Sequence, residues 1–220
     1  MKILFVSSEC APFSKSGGLA DVAFSLPPAL QKTGDDMAIV TPMYRVTQEN
    51  YGDEFELVKT CMISLGQRRL SCALYRGELN GVPVYAIGNE HLFHRPRLYG
   101  YGDDSLRFAF FCRAVIDLLP EFGELPDILH CNDWETALAI LYLKNDAVLR
   151  PELSHIKTVY TIHNIAYQGQ FGRSEMEATF ALPEGWYHGG LSYEFESRQD
   201  INLMKGAMLM ADAVTTVSPT

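Results

Sequence analysis

Four apolar residues, Ile3, Leu4, Phe5 and Val6, are followed within ten positions by Lys15-Ser16-Gly17-Gly18-Leu19-Ala20-Asp21-Val22. A short apolar run reads as a buried strand, and apolar residues at helical spacing return after Gly18, so the chain opens as strand, glycine turn and helix. Gly17 and Gly18 carry no Cβ; they are expected to take positive φ and to let a ligand approach the main chain. The first amides of the helix point outward, and with the helix dipole and Lys15 they favour an anion, phosphate first. The same residues also suit a plain strand-to-helix turn in which Asp21 only complements the helix start. Two familiar phosphate loops are excluded by spacing: Ser14 stands where the Walker pattern needs Gly, and Gly-x-Gly-x-x-Gly is absent.

The rest of the chain keeps to that alternation. Residues 22–33 carry Val22, Leu26, Ala29 and Leu30 on one helical stripe that Gly34 stops, with Pro27-Pro28 predicting a kink. Residues 37–41 predict a second buried strand, completing a right-handed strand-helix-strand unit of a parallel sheet. Between 55 and 87 the texture changes. Strands are predicted at 56–65, 70–76 and 82–87, with Asn80-Gly81 as a hairpin turn, an antiparallel excursion on the edge of the parallel core. Residues 92–104 predict a surface loop and 105–119 a helix. Alternation then resumes with strand 128–131, helix 134–144, strand 157–162, a long loop, helix 199–211 and strand 213–217. This order predicts an α/β fold with a doubly wound, mostly parallel sheet, in which ligands bind beyond the carboxyl ends of the strands. Residues 9–21, 130–134 and 163–169 follow three of those strands and should converge on one cleft.

At 220 residues the chain is long enough for one domain with a full core. A formal net charge of −9 argues against nucleic acid or an anionic membrane as partner. With no apolar run near the roughly 20 residues of a membrane span and no signal-peptide pattern at Met1-Lys2-Ile3, the expected location is cytoplasmic. Five cysteines without a Cys-x-x-Cys pair fit reduced thiols. His91 and His94 lack partners at ligand spacing, so no metal is expected.

Two further stretches carry chemistry. His130-Cys131-Asn132-Asp133-Trp134 puts a carboxylate at a helix start, where Asp133 can serve as a cap and Trp134 as packing. In Thr161-Ile162-His163-Asn164-Ile165-Ala166-Tyr167-Gln168-Gly169, His163 closes a strand and can simply satisfy a hydrogen bond there. Taken together with Lys15 to Val22, these strings resemble the bacterial glycogen synthases and plant starch synthases. The first is similar to their amino-terminal signature, with Ser16 where Thr is usual. The second matches their His-x-x-Asp-Trp motif, with Glu135 where His or Gln is usual. The third matches their Thr-x-His-Asn-x-x-Tyr-Gln-Gly. Tyr99-Gly100-Tyr101-Gly102-Asp103-Asp104 with Arg107-Phe108, and the terminal residues 214–220, are similar to further family segments.

The resemblance implies a Rossmann-like first half of a two-domain GT-B glycosyltransferase, with residues 1–220 as the acceptor-side domain and the nucleotide-binding domain outside this chain. It implies retaining transfer of glucose from ADP-glucose to an α-1,4-glucan, with no metal and no cofactor. For this chain it implies that His163, Asp133 and Asp21 are catalytic, His163 facing the sugar cation while the two aspartates orient hydroxyls. Lys15, Gly17 and Gly18 would meet the donor diphosphate, and Glu9, Asn164, Tyr101 and Trp134 would contact acceptor or sugar. The expected partners are the glucan, the nucleotide sugar and the missing carboxy-terminal domain. Since the adenine and ribose contacts are implied to lie in that domain, ADP-glucose and UDP-glucose both stay open as donors. A non-catalytic glucan-binding domain and a nucleotide-binding Rossmann domain are the alternatives; the missing third glycine argues against a nicotinamide site.

Overall fold

A computed structural model describes residues 1–187, 191–195 and 198–217. In chain order the first half comprises β1 (Lys2–Val6), α1 (Gly18–Lys32), β2 (Asp36–Pro42), α2 (Arg45–Tyr51), β3 (Glu56–Leu65), β4 (Arg68–Leu79), β5 (Val82–Gly88), α3 (Glu90–Phe93) and α4 (Asp104–Asp117). The second half comprises β6 (Ile128–Asn132), α5 (Trp134–Asp146), β7 (Lys157–Ile162), β8 (Gln170–Gly172), α6 (Glu175–Ala178), β9 (Ser192–Phe195), β10 (Arg198–Asn202), α7 (Leu203–Met210) and β11 (Ala213–Thr216).

Eight strands form one sheet in the order β11-β7-β6-β1-β2-β5-β4-β3. The first six run parallel, and β4 and β3 turn antiparallel at one edge. Numbered along the chain, the parallel strands lie in the doubly wound order 3-2-1-4-5-6, with the reversal between β1 and β6, where such sheets bind ligands. The expected α/β class, parallel core and edge hairpin are all present. Asn80 and Gly81 both take positive φ, 52° and 83°, the conformation of a tight hairpin turn.

Strand composition follows from burial on both faces. Ile3, Phe5, Met37, Ile39 and Val84 project to the α1 side, while Leu4, Val6, Val40 and Leu129 project to the other side. The inner strands therefore read as continuous apolar runs. Helix α5 packs between α4 and α7, and every residue from Ala137 to Leu143 is buried. That explains a helix apolar around its whole circumference.

Several boundaries differ from the expected ones. Helix α1 starts at Gly18, four residues before the apolar stripe, and continues past Pro27 and Pro28 to Lys32. The stretch expected as a surface loop from residue 92 begins inside α3, whose Leu92 and Phe93 are buried, with the Asn89 side chain capping the helix by accepting the Leu92 N–H at 3.0 Å. Residues 45–51 form a helix that the sequence reading left out. The helix expected over 199–211 is shorter: β10 runs to Asn202 and pairs antiparallel with β8 and β9 in a separate three-stranded sheet. Those residues gained ladder partners from the adjacent β9 and from β8, far earlier in the chain, which helical spacing does not register. The family match at Ser218-Pro219-Thr220 lies outside the described residues. No helix among the described residues is long and apolar enough to cross a membrane.

Candidate active site

Beyond the carboxyl ends of β1, β6 and β7 opens a cleft of about 820 Å³, lined by Glu9, Ser16, Gly17, Gly18, Tyr99, Asp133, Trp134, Glu135, His163, Asn164 and Tyr167, among others. The three loops expected to converge do so here.

The first wall is the turn into α1. Gly17 is extended, with φ −145°, and neither Gly17 nor Gly18 takes positive φ, so that expectation is corrected. A Cβ on either glycine would meet nothing within 4 Å, so the missing side chains leave open space at the main chain. The amide of Gly17, expected to meet an outside anion, donates together with that of Ser16 to the carboxylate of Glu9. The Ser16 hydroxyl adds a bond to Glu9 Oε1 at 2.6 Å, and the Tyr99 hydroxyl lies 2.9 Å from the same oxygen. A buried carboxylate thus fills the anion position at the loop, and the hydroxyl that Ser16 shares with Thr holds it in place.

The second wall is the start of α5. Asp133 occupies the cap position with φ 56° and ψ 179°, a region almost confined to glycine, and its side chain makes no cap hydrogen bond. Instead Oδ1 accepts the main-chain N–H groups of His163 at 2.8 Å and Asn164 at 3.2 Å. Burial raises the carboxyl above its ordinary pKa, opposed by these two amides. Trp134 packs edge-on against Phe108, with ring centroids 5.2 Å apart. It also meets the Phe171 ring, with centroids 5.5 Å apart, and the main chain at Gly169, which has φ 63° and where a Cβ would lie 2.7 Å from the indole. The glycine closing the third motif is therefore required twice, by conformation and by Trp134.

The third wall is His163. Its Nε2 lies 2.9 Å from Asn132 Oδ1. Asn132 is fully buried and its Nδ2 donates to the Val6 carbonyl at 3.0 Å, which fixes the amide with Oδ1 toward the histidine. His163 is thereby a proton donor at Nε2, and in the neutral ring Nδ1 keeps its lone pair. Burial lowers its pKa, opposed by the charge of Asp133, so the ring is held toward neutrality.

The protein matches the family described as "Starch synthase catalytic domain" over residues 2–220. The chain belongs to that family. Among the relatives, it is 40% identical to a glycogen synthase of Clostridium novyi and 42% identical to one of Geobacillus stearothermophilus, aligned over the whole of this chain. It spans about half the length of these relatives, 46% and 45% respectively. Among solved structures, it resembles the catalytic domain of Starch Synthase IV from Arabidopsis thaliana bound to ADP and acarbose, with a TM-score of 0.86 and 31% identity, covering all of this chain and 45% of that one.

Within this starch synthase domain, seven of the ten site residues read from the sequence line the cleft: Glu9, Gly17, Gly18, Asp133, Trp134, His163 and Asn164. Lys15 and Asp21 do not line it; they pair with each other at 2.6 Å, both more than half exposed. Tyr101 stands behind the loop, its ring about 5 Å from the guanidinium groups of Arg95, Arg97 and Arg107. From this loop, the tyrosine that lines the cleft is Tyr99. Arg107, fully buried, fastens that loop by donating to the carbonyls of Leu92 at 2.6 Å and Leu98 at 3.0 Å, and it pairs with Asp104 at 2.5 Å. Asp104 in turn accepts the amide of Gly100 at 2.7 Å. Asn132 and Glu135 were also missed. For Asn132 the available signal was a polar residue closing an apolar strand directly before Asp133. No group of three or more His, Cys, Asp or Glu side chains among the described residues is placed to hold a metal ion.

Proposed function

We propose that residues 1–220 are the acceptor-side domain of a retaining glucosyltransferase that moves glucose from ADP-glucose to the non-reducing end of an α-1,4-glucan, with a second, nucleotide-binding domain lying outside this sequence. The observation that carries the reading is the joining of Asp133 to the His163 and Asn164 amides in a cleft that also holds Trp134 and the open main chain at Gly17 and Gly18. A neutral imidazole suits a sugar whose anomeric carbon becomes positive: it presents dipole and lone pair without an opposing charge. The His163 main-chain carbonyl is assigned the same role. Asp133, already oriented by two amides, takes donor or acceptor hydroxyls, and Asp21, outside the cleft, holds Lys15 at its rim. Trp134 and Tyr99 supply aromatic surface for sugar C–H faces, with Glu9 and Asn164 beside them. The glycine main chain gives the diphosphate room to approach, and Lys15 leaves Asp21 to meet its charge.

The family relationship, and the ADP and acarbose bound to the Arabidopsis relative, support a nucleotide-sugar donor and a glucan acceptor. On this reading the domain by itself folds, binds glucan weakly and ADP-glucose very weakly, and transfers no glucose. Leaving-group stabilisation and domain closure both need the other half. Purified protein incubated with labelled ADP-glucose and glycogen should incorporate no label, while a maltooligosaccharide titration shows weak binding that Trp134→Ala abolishes. Robust incorporation by residues 1–220 alone would overturn the division of labour. Glucan binding that persists unchanged in Trp134→Ala would move the acceptor away from this cleft.

A further inference from the structure

At the edge of the main sheet, away from the cleft, Cys61 on β3 and Cys72 on β4 are direct cross-strand partners. Residues directly opposite in an antiparallel ladder have Cα atoms about 4.5–5.5 Å apart with side chains on the same face, within the span a disulfide bridges. All five cysteines are free thiols. We propose that Cys61 and Cys72 form a reversible cross-strand disulfide, which makes this edge hairpin a site of modification by low-molecular-weight disulfides.

The two thiols have different surroundings, and the difference sets their order of reaction. Cys61 is partly exposed on the outermost strand, while Cys72 is 2% exposed. Burial, and then the neighbouring Cys61, raise the pKa of Cys72 and hold it protonated. Cys61 is therefore the attacking group and Cys72 the resolving one. The Cys61 thiolate attacks one sulfur of a disulfide RSSR, forming Cys61–S–SR and expelling RS⁻. Cys72 then gives up its proton to that RS⁻ and attacks the Cys61 sulfur, forming the Cys61–Cys72 bond and expelling the second RS⁻, which takes the Cys61 proton from solvent. Two thiols are oxidised and one external disulfide is reduced to two RSH. The bond would tie β3 to β4 in the register they already hold, on the edge where slippage and pairing with other chains are easiest. Cys10, Cys112 and Cys131 are each 0% exposed and closed to the same reagent.

The test treats native protein with oxidised glutathione, unfolds it in acid to stop exchange, and counts and maps its thiols. The expected result is the loss of two of five thiols, a peptide linking Cys61 to Cys72, and full reversal by dithiothreitol. Cys72→Ser should stop at a glutathione adduct on Cys61, and Cys61→Ser should keep all its thiols. Five free thiols after treatment, a persistent adduct on Cys61 in the parent protein, or linkage through any other cysteine would overturn the proposal.

Discussion

The carboxylate of Asp133, at the end of β6, accepts the main-chain N–H of His163, at the end of the neighbouring β7, at 2.8 Å. Position 133 reaches that amide only by taking a backbone conformation that most side chains avoid. The strain is thus coupled to the bond that orients the His163 loop.

This coupling predicts an inverted order of stability at position 133. Asp133→Ala loses the bonds and keeps the strain, whereas Asp133→Gly loses the bonds and relieves it. Chemical denaturation should find the glycine variant more stable than the alanine variant by about 1–3 kcal/mol. Equal stabilities, or alanine the more stable, would show that the conformation costs nothing.

Lys15 separates stability from chemistry. Its ion pair with Asp21 is exposed on both sides, and such pairs contribute about 0–1 kcal/mol. Lys15→Gln should therefore leave the unfolding free energy within about 1 kcal/mol. In a chain carrying both halves of the enzyme, the same change should lower kcat/KM for ADP-glucose by roughly 100-fold to 1,000-fold, as for other lost electrostatic groups. An unchanged kcat/KM would return the segment to a structural turn.

Acid stability should depend on His130. Burial, and secondarily the nearby His163, push its pKa down to about 4, and its Nε2 lies 2.7 Å from the Thr161 hydroxyl. The folded state prefers the neutral ring, so the stabilisation is fully present above the unfolded pKa of about 6.5. It is lost as the pH falls from there toward 4, and amounts to about 3 kcal/mol at most. His130→Gln should flatten the stability curve across that window. Parallel curves for the two proteins would exclude His130 as the source.

Glu135 works in the opposite direction. It is 8% exposed, and its Oε2 has no hydrogen-bond partner among the described residues. Burial, with the charges of Asp133, Glu9 and Asp104, raises its pKa well above the ordinary carboxylate value. A raised pKa means the fold favours the protonated form, so its stabilisation is full below the unfolded pKa of about 4.3 and drains away as the pH rises through the folded value. The neutral isostere Glu135→Gln should gain steadily on the parent protein in melting temperature between pH 4 and pH 8. A constant difference across that range would mean that the carboxyl is not titrating.

The fold was legible because its causes are local. The apolar runs at 3–6 and 37–40 are continuous because both faces of a parallel sheet are buried, and Asn80-Gly81 marks a turn that two positive φ values require. The motifs likewise placed Asp133 and His163 beyond neighbouring strands. At residues 199–202 the spacing read as helix, and partners from β8 and β9 decided for a strand.

What only the tertiary structure decided is which atoms meet. Sequence placed Glu9 on a loop beside Gly17 but held nothing to say that its carboxylate occupies the Ser16 and Gly17 amides. It pointed to Tyr101, whereas the loop fastened by the buried Arg107, bound to Leu92 and Leu98, sends Tyr99 into the cleft. It left the proton of His163 unassigned until Asn132, anchored to Val6, supplied an acceptor for Nε2. Strand pattern is written in side-chain periodicity along the chain, whereas these choices depend on hydrogen-bond directions between residues as far apart as Val6 and Asn132, which exist only once the sheet has brought them together.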